Sequence, residues 1–285
     1  MLINGSDCSI VIKTVHCEMD VPYSDETIRE AASLLEEEAS IEGDGIARVI
    51  RKPGGVTGCI VTPLTIRTAP LLLHLAMGAA GNPVYVSETR NMYKHCLELL
   101  PKEDSEHFDL IQDRSRNNER MFYENCQVKS FELRIMRVEA IKLKLDILSE
   151  SPPVIYPYTD TFPREEGERF SGDFATYRIN GKEYKNIYGI TLSTKKEGST
   201  KTEIWIKRVK ESGPDIPGII EELVITAQLL RDKYEYRLFG TFTITLKRLV
   251  LISDETEINS SDAVIGPLRY YVAGKVGAEM FESGE

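Results

Sequence analysis

Cysteine is scarce in this sequence, and where it occurs it follows no metal-binding or disulfide pattern. All five cysteines lie within the first 126 of 285 residues: Cys8, Cys17, Cys59, Cys96 and Cys126. Their number is odd and no two are spaced as CxxC, which argues against a disulfide framework or a zinc site. The sequence therefore predicts free thiols, buried as small apolar side chains.

Histidine is equally scarce, with only His16, His74, His95 and His107. His16 and His95 each precede a cysteine. Because neighbouring residues on a strand point to opposite faces, such a pair cannot easily hold one ion. We predict no metal ligands and no cofactor.

Long apolar runs and excess positive charge are also missing. The longest apolar run, residues 69–80, is shorter than a membrane helix requires and contains His74. The N-terminus lacks the basic start and apolar stretch of a signal peptide, so we predict synthesis in a cytosol and no membrane partner. The net charge of −10 argues against a nucleic-acid-binding protein.

Catalytic signatures are absent as well. Residues 52–58 are rich in glycine but lack the GK[ST] ending of a phosphate-binding loop, so they predict a hairpin turn. No GxSxG nucleophile motif occurs. Glu36, Glu37 and Glu38 are adjacent, and equally exposed carboxylates would not acquire the different pKa values that acid–base catalysis needs. We predict no catalytic residues, and hence a protein that is not an enzyme.

The negative charge is concentrated in residues 18–44. This segment holds ten acidic residues and one basic residue, Arg29, and so contributes −9 of the total of −10. Its pattern is ambiguous, but Ser24 and the acidic residues after it are typical of a helix start. The apolar residues that follow keep roughly helical spacing: Ile28, Ala31, Leu34 and Leu35. A short amphipathic helix is the expectation, facing either solvent or an internal channel.

What the sequence does contain is alternation with a period of two. Residues 131–135 and 141–147 alternate apolar and charged residues and are joined by a short connection, which predicts an antiparallel hairpin. Its inward face would consist of Phe131, Leu133, Ile135, Ile141, Leu143, Leu145 and Ile147. Its wet face would consist of Glu132, Arg134, Lys142, Lys144 and Asp146.

The remaining pattern is mainly β. Around a turn at 52–55 we predict strands at 46–50 and 56–61, then a helix over 66–77 ended by Gly78, then an irregular polar segment over 102–120. Prolines make 151–165 a linker or an extended arm. Beyond it we predict a hairpin of 177–180 with 184–192, and strands at 203–207, 241–252 and 268–276. Residues 219–229 have a mixed pattern whose period also fits a helix, but residues 223–226 favour a strand. The chain thus reads as one β domain over 1–285 in two halves, 1–150 and 166–285.

The order of these elements resembles the major tail tube proteins of long-tailed bacteriophages. The strand GCIVTPL is followed by the helix APLLLHLAMG, then by YKHCLELLP and by the hairpin entry FYENCQVKSFEL. The late strand and the terminal GPLRYYV also fit. The matching residues are 58–64, 69–78, 93–101, 122–133, 241–252 and 266–272. The acidic segment 18–44 departs from the family pattern.

This resemblance implies a β-barrel or sandwich with a flanking helix, assembled into rings, usually hexameric, that stack into a conduit for DNA. It implies a place in the virion tail after synthesis in the host bacterial cytoplasm. The implied partners are further copies of the chain, the tape measure and terminator proteins of the tail, and DNA that passes through without specific binding. Glu132, Arg134, Lys142, Lys144 and Asp146 are candidates for the lumen, which we expect to lack a net basic surface.

Other functions stay open at this point. The tube subunit of a contractile injection system shares the fold. A β-barrel that carries a small apolar ligand is a different class, and so is an enzyme with a site that the sequence does not reveal.

Overall fold

The computed structural model describes residues 8–30, 33–36, 49–52, 54–78, 84–87, 92–114, 119–156, 167–196, 199–209, 215–229, 240–254 and 264–283. The helix is α1 (Thr68–Met77), and short 3-10 turns lie at Lys102–Asp104 and Gly172–Phe174. The strands are β1 (Cys8–Lys13), β2 (Glu18–Asp20), β3 (Asp25–Glu26), β4 (Arg29–Glu30), β5 (Ser33–Glu36), β6 (Val49–Lys52), β7 (Val56–Pro63), β8 (Val84–Ser87), β9 (Met92–Glu98), β10 (Phe108–Arg114), β11 (Glu119–Met136), β12 (Lys142–Ser149), β13 (Val154–Ile155), β14 (Thr176–Ile179), β15 (Lys182–Glu183), β16 (Ile187–Lys195), β17 (Lys201–Val209), β18 (Ile219–Gln228), β19 (Thr241–Asp254), β20 (Val264–Val272) and β21 (Val276–Ser283).

The chain is mainly β, as the alternating pattern predicts, and its strands form an open sheet. All described strands except the pair β5–β6 are connected through antiparallel pairing. The smaller part, called here the first sheet, runs β2–β1–β10–β11–β13. The larger part, called the large sheet, contains the succession β7–β12–β11–β16–β17–β20–β19–β18. β11 belongs to both, and through β16 it joins the two halves of the chain.

The predicted hairpin is present as β11 and β12. Leu133 faces Leu143 and Phe131 faces Leu145 across the pair. All seven residues of the predicted inward face are buried, as the alternation requires. They belong to one hydrophobic core that includes side chains from both halves of the chain. This prediction is confirmed.

The helix α1 begins two residues later than predicted and ends where predicted. Thr65 and Thr68 cap its start reciprocally, because each backbone N–H donates to the other's hydroxyl, at 3.1 Å and 3.3 Å. The N–H of Gly78 donates to the carbonyl of His74 at 2.7 Å, with φ of 110° at the glycine. Eight of its ten residues are buried, so the helix lies inside the core.

The acidic segment is not helical where the structure describes it. Residues 18–30 form the short strands β2, β3 and β4, and β5 follows at 33–36. β3 and β4 add to the edge of β7, and the buried Ile28 lies between them. The predicted helix is therefore wrong: tertiary pairing with β7 overrides a weak local pattern. Residues 31–32 and 37–48 lie outside the described part.

Two further local predictions need correction. The strands on either side of 52–55 do not form a hairpin, because β6 pairs with β5 while β7 pairs with β12, β3 and β4. The polar segment 102–120 is not irregular over its described length. It contains a 3-10 turn, the strand β10 and the start of β11. β10 pairs with β1 on one side and with β11 on the other, so the polar residues of this segment belong to a regular strand within the sheet.

The second half follows the prediction in its long strands and differs at its turns. β17, β18 and β19 lie where expected. The turn at Asn180 and Gly181, with φ of 51° and 79°, joins β14 only to the two-residue strand β15, and β16 instead pairs with β11 and β17. The predicted strand 268–276 is divided between β20 and β21. In the proline-rich passage, β13 pairs with Phe122 and Met121 of β11, and residues 157–166 lie outside the described part.

One charged side chain lies in the core without any sequence signal. Lys196, just after β16, is 1% exposed, and its Nζ donates to the hydroxyl of Ser105 at 2.9 Å. Burial lowers the pKa of Lys196 to about 8, because the apolar surroundings disfavour the charged form. The Ser105 hydroxyl in turn donates to the carbonyl of Pro101 at 3.2 Å. This chain of polar contacts ties the turn before β10 to the end of β16.

Candidate functional site

The face of the large sheet opposite the core is polar at one end. On β11 and β12, Glu132 lies opposite Lys144 and Arg134 lies opposite Lys142, with Asp146 two residues beyond Lys144. The structure thus brings all five predicted wet-face residues together on one surface, and each is partly or fully exposed. Their position follows from the alternation, since each follows a buried residue of the inward set.

Ion pairs hold this charged surface nearly neutral. Lys144 Nζ lies 3.4 Å from the Asp146 carboxylate, and Arg134 lies 3.2 Å from Glu139 in the β11–β12 connection. The Ser130 hydroxyl also donates to Asp146. Asp146 raises the pKa of Lys144, so the ammonium stays charged. With Glu139 included, the cluster contains three cations and three carboxylates.

The same face continues through uncharged residues to a second ion pair. Across β16 it shows Thr191 and Ser193, which lie opposite Arg134 and Glu132 of β11. On β17 and β20, the guanidinium of Arg269 donates two hydrogen bonds to Glu203, at 2.7 Å and 3.0 Å. The same guanidinium lies 5.4 Å from the centre of the Trp205 ring.

The far end of the face is apolar, which sequence reasoning missed. Ile219, Val250 and Tyr271 stand directly opposite one another on β18, β19 and β20, and all three are exposed. Ile252, two residues along β19, is exposed beside them. The sequence contained a signal for this apolar surface, because the alternation stops in the second half of 241–252, where residues 249–252 are all apolar. From Lys144 to Ile219 the face crosses seven strands, roughly 29 Å at about 4.8 Å per strand.

The four cysteines whose side chains the structure describes are free, as predicted, but three of them are not buried. Cys126 is buried, and burial raises the pKa of its thiol to about 12. Cys17, Cys59 and Cys96 are half-buried, so the expectation of buried thiols is wrong for these three. Cys8 has no described side chain.

The histidines have different local contacts. His74 on α1 contacts Glu106 at 2.5 Å, and the His107 ring lies between the side chains of Asn125 and Gln127. His95 and Cys96 are successive residues of β9, whereas His16 and Cys17 lie in the turn after β1. Within the part of the chain that the structure describes, no group of three or more histidine, cysteine or acidic side chains could hold a metal ion.

Among the described residues, no helix combines the length and the apolar character needed to cross a membrane. No protein-family model matches the chain, and a search of curated proteins finds no significant match.

Proposed function

We propose that this chain is a structural subunit of a viral tail tube, which assembles into stacked rings around a channel for DNA. The rings would be hexameric, with the sheets of neighbouring subunits closing into a barrel wall. The observation that carries the proposal is the seven-stranded antiparallel surface from β12 to β18, with one side in the core and the other side open. A broad sheet with one free face is suited to form the wall of a tube.

The charges on the open face support its placement toward DNA. A lumen with unpaired cations would bind the phosphate backbone at many points and retain the polymer. Here the cations of Arg134 and Lys144 are paired with Glu139 and Asp146, and Arg269 is paired with Glu203. A balanced surface of this kind offers DNA no continuous basic track, so the polymer could slide.

The partners in this proposal are mainly further copies of the chain. The tape measure and terminator proteins of the tail would contact the assembled tube, and DNA would pass through without specific recognition. Stable rings of this kind need interfaces of the obligate type, on the order of 2,000 Å² or more.

Electron microscopy of the concentrated, purified protein tests the proposal. We expect rings or tubes with a central channel, and light scattering should show mass increasing with protein concentration. A strict monomer in light scattering at every concentration would contradict the proposal. In a structure of the tube, a channel lined by unpaired lysines and arginines would contradict the placement of the open face while leaving the tube itself intact.

A further inference from the structure

Six strands of the connected sheets are paired along one side only, and they fall into two groups. In the first group every strand carries charge at the free edge. β2 has the sequence Glu-Met-Asp, β3 Asp-Glu, β4 Arg-Glu and β15 Lys-Glu. Charged side chains at an edge are one of the means by which a protein prevents its strands from pairing with other chains.

The second group consists of β8 and β13, which have no charged residue. β8 reads Val-Tyr-Val-Ser and β13 reads Val-Ile. The exposed fractions are 57%, 46% and 45% for Val84, Tyr85 and Val86, and 46% and 76% for Val154 and Ile155. β8 pairs only with β9 and β13 only with β11 among the described strands. Each therefore has one edge without a partner among the described strands, beside exposed apolar side chains.

One edge of β18 is only partly covered by a neighbouring strand, and it is protected by a side chain instead of by charge. β14 leaves the start of β18 uncovered, but the side chain of Asn180 accepts hydrogen bonds from the backbone N–H groups of Glu221 and Glu222, both at 3.0 Å. Those donors are therefore occupied. Among the six described strands that are paired along one side only, β8 and β13 alone have no charged residue.

We propose that β8 of one copy pairs with β13 of the next copy, head to tail, and that this contact builds the ring. The inference rests on the proposed function, because it names the surfaces through which the subunits would assemble. The two edges lie on different sheets of one chain, as a contact between two unlike surfaces requires, and such contacts repeat until they close into a ring. Strand addition would supply the hydrogen bonds and the apolar side chains would supply the buried area.

The proposed ring requires a second copy as the occupant, and the charge of the chain favours these two edges over the acidic ones. Each copy carries a net charge of −10, so copies that met at β2 or β3 would bring carboxylates together. Contact between β8 and β13 places no ionised side chain of either strand at the junction. Every copy also supplies both edges in equal number.

Two variants that each block one edge provide the test. Val86→Lys places a charge on β8 and Ile155→Lys places a charge on β13, and both sites are exposed, so the fold should survive, as circular dichroism can check. At a concentration where the wild type forms rings, each variant alone should be monomeric by light scattering. An equimolar mixture should form a heterodimer of twice 32.2 kDa and nothing larger, because only one intact junction remains. Glu183→Lys on the charged edge β15 is the control and should assemble normally.

The alternative outcomes are distinct. If Ile155→Lys still dimerises while Val86→Lys does not, β8 pairs with β8, and the head-to-tail contact is wrong; the reverse result would indicate β13 with β13. If both variants form rings like the wild type, the rings use other surfaces, and this inference fails while the proposed function stands. A wild type that remains monomeric at every concentration would overturn both.

Discussion

The strands β11 and β19, with 18 and 14 residues, both change partners part-way along, yet they are held at the change in different ways. β11 passes from the first sheet to the large sheet near Asn125. β19 keeps β18 on one side and exchanges β21 for β20 on the other near Arg248. Both residues have a φ of 57°, a left-handed backbone conformation that residues other than glycine and asparagine rarely adopt.

Side-chain contacts surround the bend in β11. The N–H of Asn125 donates to the carboxylate of Asp109 at 3.0 Å, and its side chain contacts the His107 ring. At the bend in β19 the contacts are backbone to backbone. Ala273 and Gly274 donate to the carbonyls of Arg248 and Lys247 at 2.8 Å and 3.0 Å, and Lys247 donates to Lys275 at 2.9 Å.

The difference indicates where each bend is sensitive to mutation. The bend in β11 depends on the identity of its side chains, so substitution there should be costly. The bend in β19 depends on the close approach of the turn between β20 and β21. Substitution of the Arg248 side chain should therefore change stability little, whereas substitution of Gly274 in that turn should lower it strongly.

The largest expected effect concerns the part of β11 beyond its bend. Leu143→Lys on β12 would bury a charge opposite Leu133, where the exposed fraction of the leucine is zero, and should cost several kcal/mol. We expect loss of the cooperative unfolding transition or aggregation. Lys144→Leu, on the open face one residue away, is the matched control and should melt close to the wild type. Equal melting of the two variants would contradict the assignment of faces.

The next effect tests the backbone-held bend in β19. A Cβ atom at Gly274 would lie 2.4 Å from the carbonyl oxygen of Lys247, so Gly274→Ala should lower the free energy of unfolding by about 2–3 kcal/mol. At Gly218 the nearest atom to an added Cβ is 4.0 Å away, in Leu251. Gly218→Ala should therefore change stability little, as urea denaturation can measure. A tolerated Gly274→Ala would mean that the turn does not hold the bend.

The buried Lys196 predicts that the stability of the protein depends on pH. Its pKa is lowered to about 8 in the folded protein from 10.5, so the unfolded chain binds more protons between these values, and stability should rise as pH increases from 8 to 10.5. Below pH 8 the full penalty applies, roughly 3 kcal/mol at about 1.4 kcal/mol per unit. Lys196→Met should remove it at the loss of one hydrogen bond, stabilising the protein at pH 7 by about 2 kcal/mol.

The control for this pH dependence is the adjacent, exposed Lys195. Lys195→Met should leave the rise in stability between pH 8 and 10.5 in place, whereas Lys196→Met should remove the part of that rise that this lysine causes. If denaturation curves of the Lys196→Met protein keep the wild-type slope in this range, the lysine is not the titrating group.

The smallest expected effect compares the two bend residues directly. Asn125→Ala loses both the tolerance of asparagine for positive φ and its contact with His107, so it should destabilise by about 1–2 kcal/mol. Arg248→Ala exchanges one unfavourable residue for another and should change stability by less than about 0.5 kcal/mol. Arg248→Gly should stabilise by about 1 kcal/mol. Equal losses at both sites would remove the distinction between the bends.

The regular parts of this fold could be predicted because alternation in strands with one buried face determines which residues enter the core. The hairpin of β11 and β12 and its charged face followed from that pattern alone. The short strands β3 and β4 could not be found, because two charged residues carry no period and their conformation comes from pairing with β7. The bend at Arg248 was equally hidden, since nothing in the residue itself favours positive φ.

The candidate site was predictable only at its charged end. Glu132, Arg134, Lys142, Lys144 and Asp146 come from one hairpin, whose register the sequence reveals. The apolar end joins three strands from across the second half, and only the pairing of β18 with β19 and of β19 with β20 brings Ile219, Val250 and Tyr271 together. The uncharged edge of β8 was missed for the same reason, because the sequence does not reveal which strands lie at the edge of a sheet.

The pairing of β9 with β21 has a consequence for how the protein is made. Leu97 lies opposite Ala278, so about 180 residues of chain separate the two partners. During synthesis β9 leaves the ribosome long before β21 and must wait without its neighbour. Pairings this distant in sequence slow folding, because a long loop must close before the contact contributes. Until β21 emerges, β9 lacks one of its two partner strands and the exposed apolar residues of β8 lie beside it, so we expect this part of the nascent chain to be prone to aggregation.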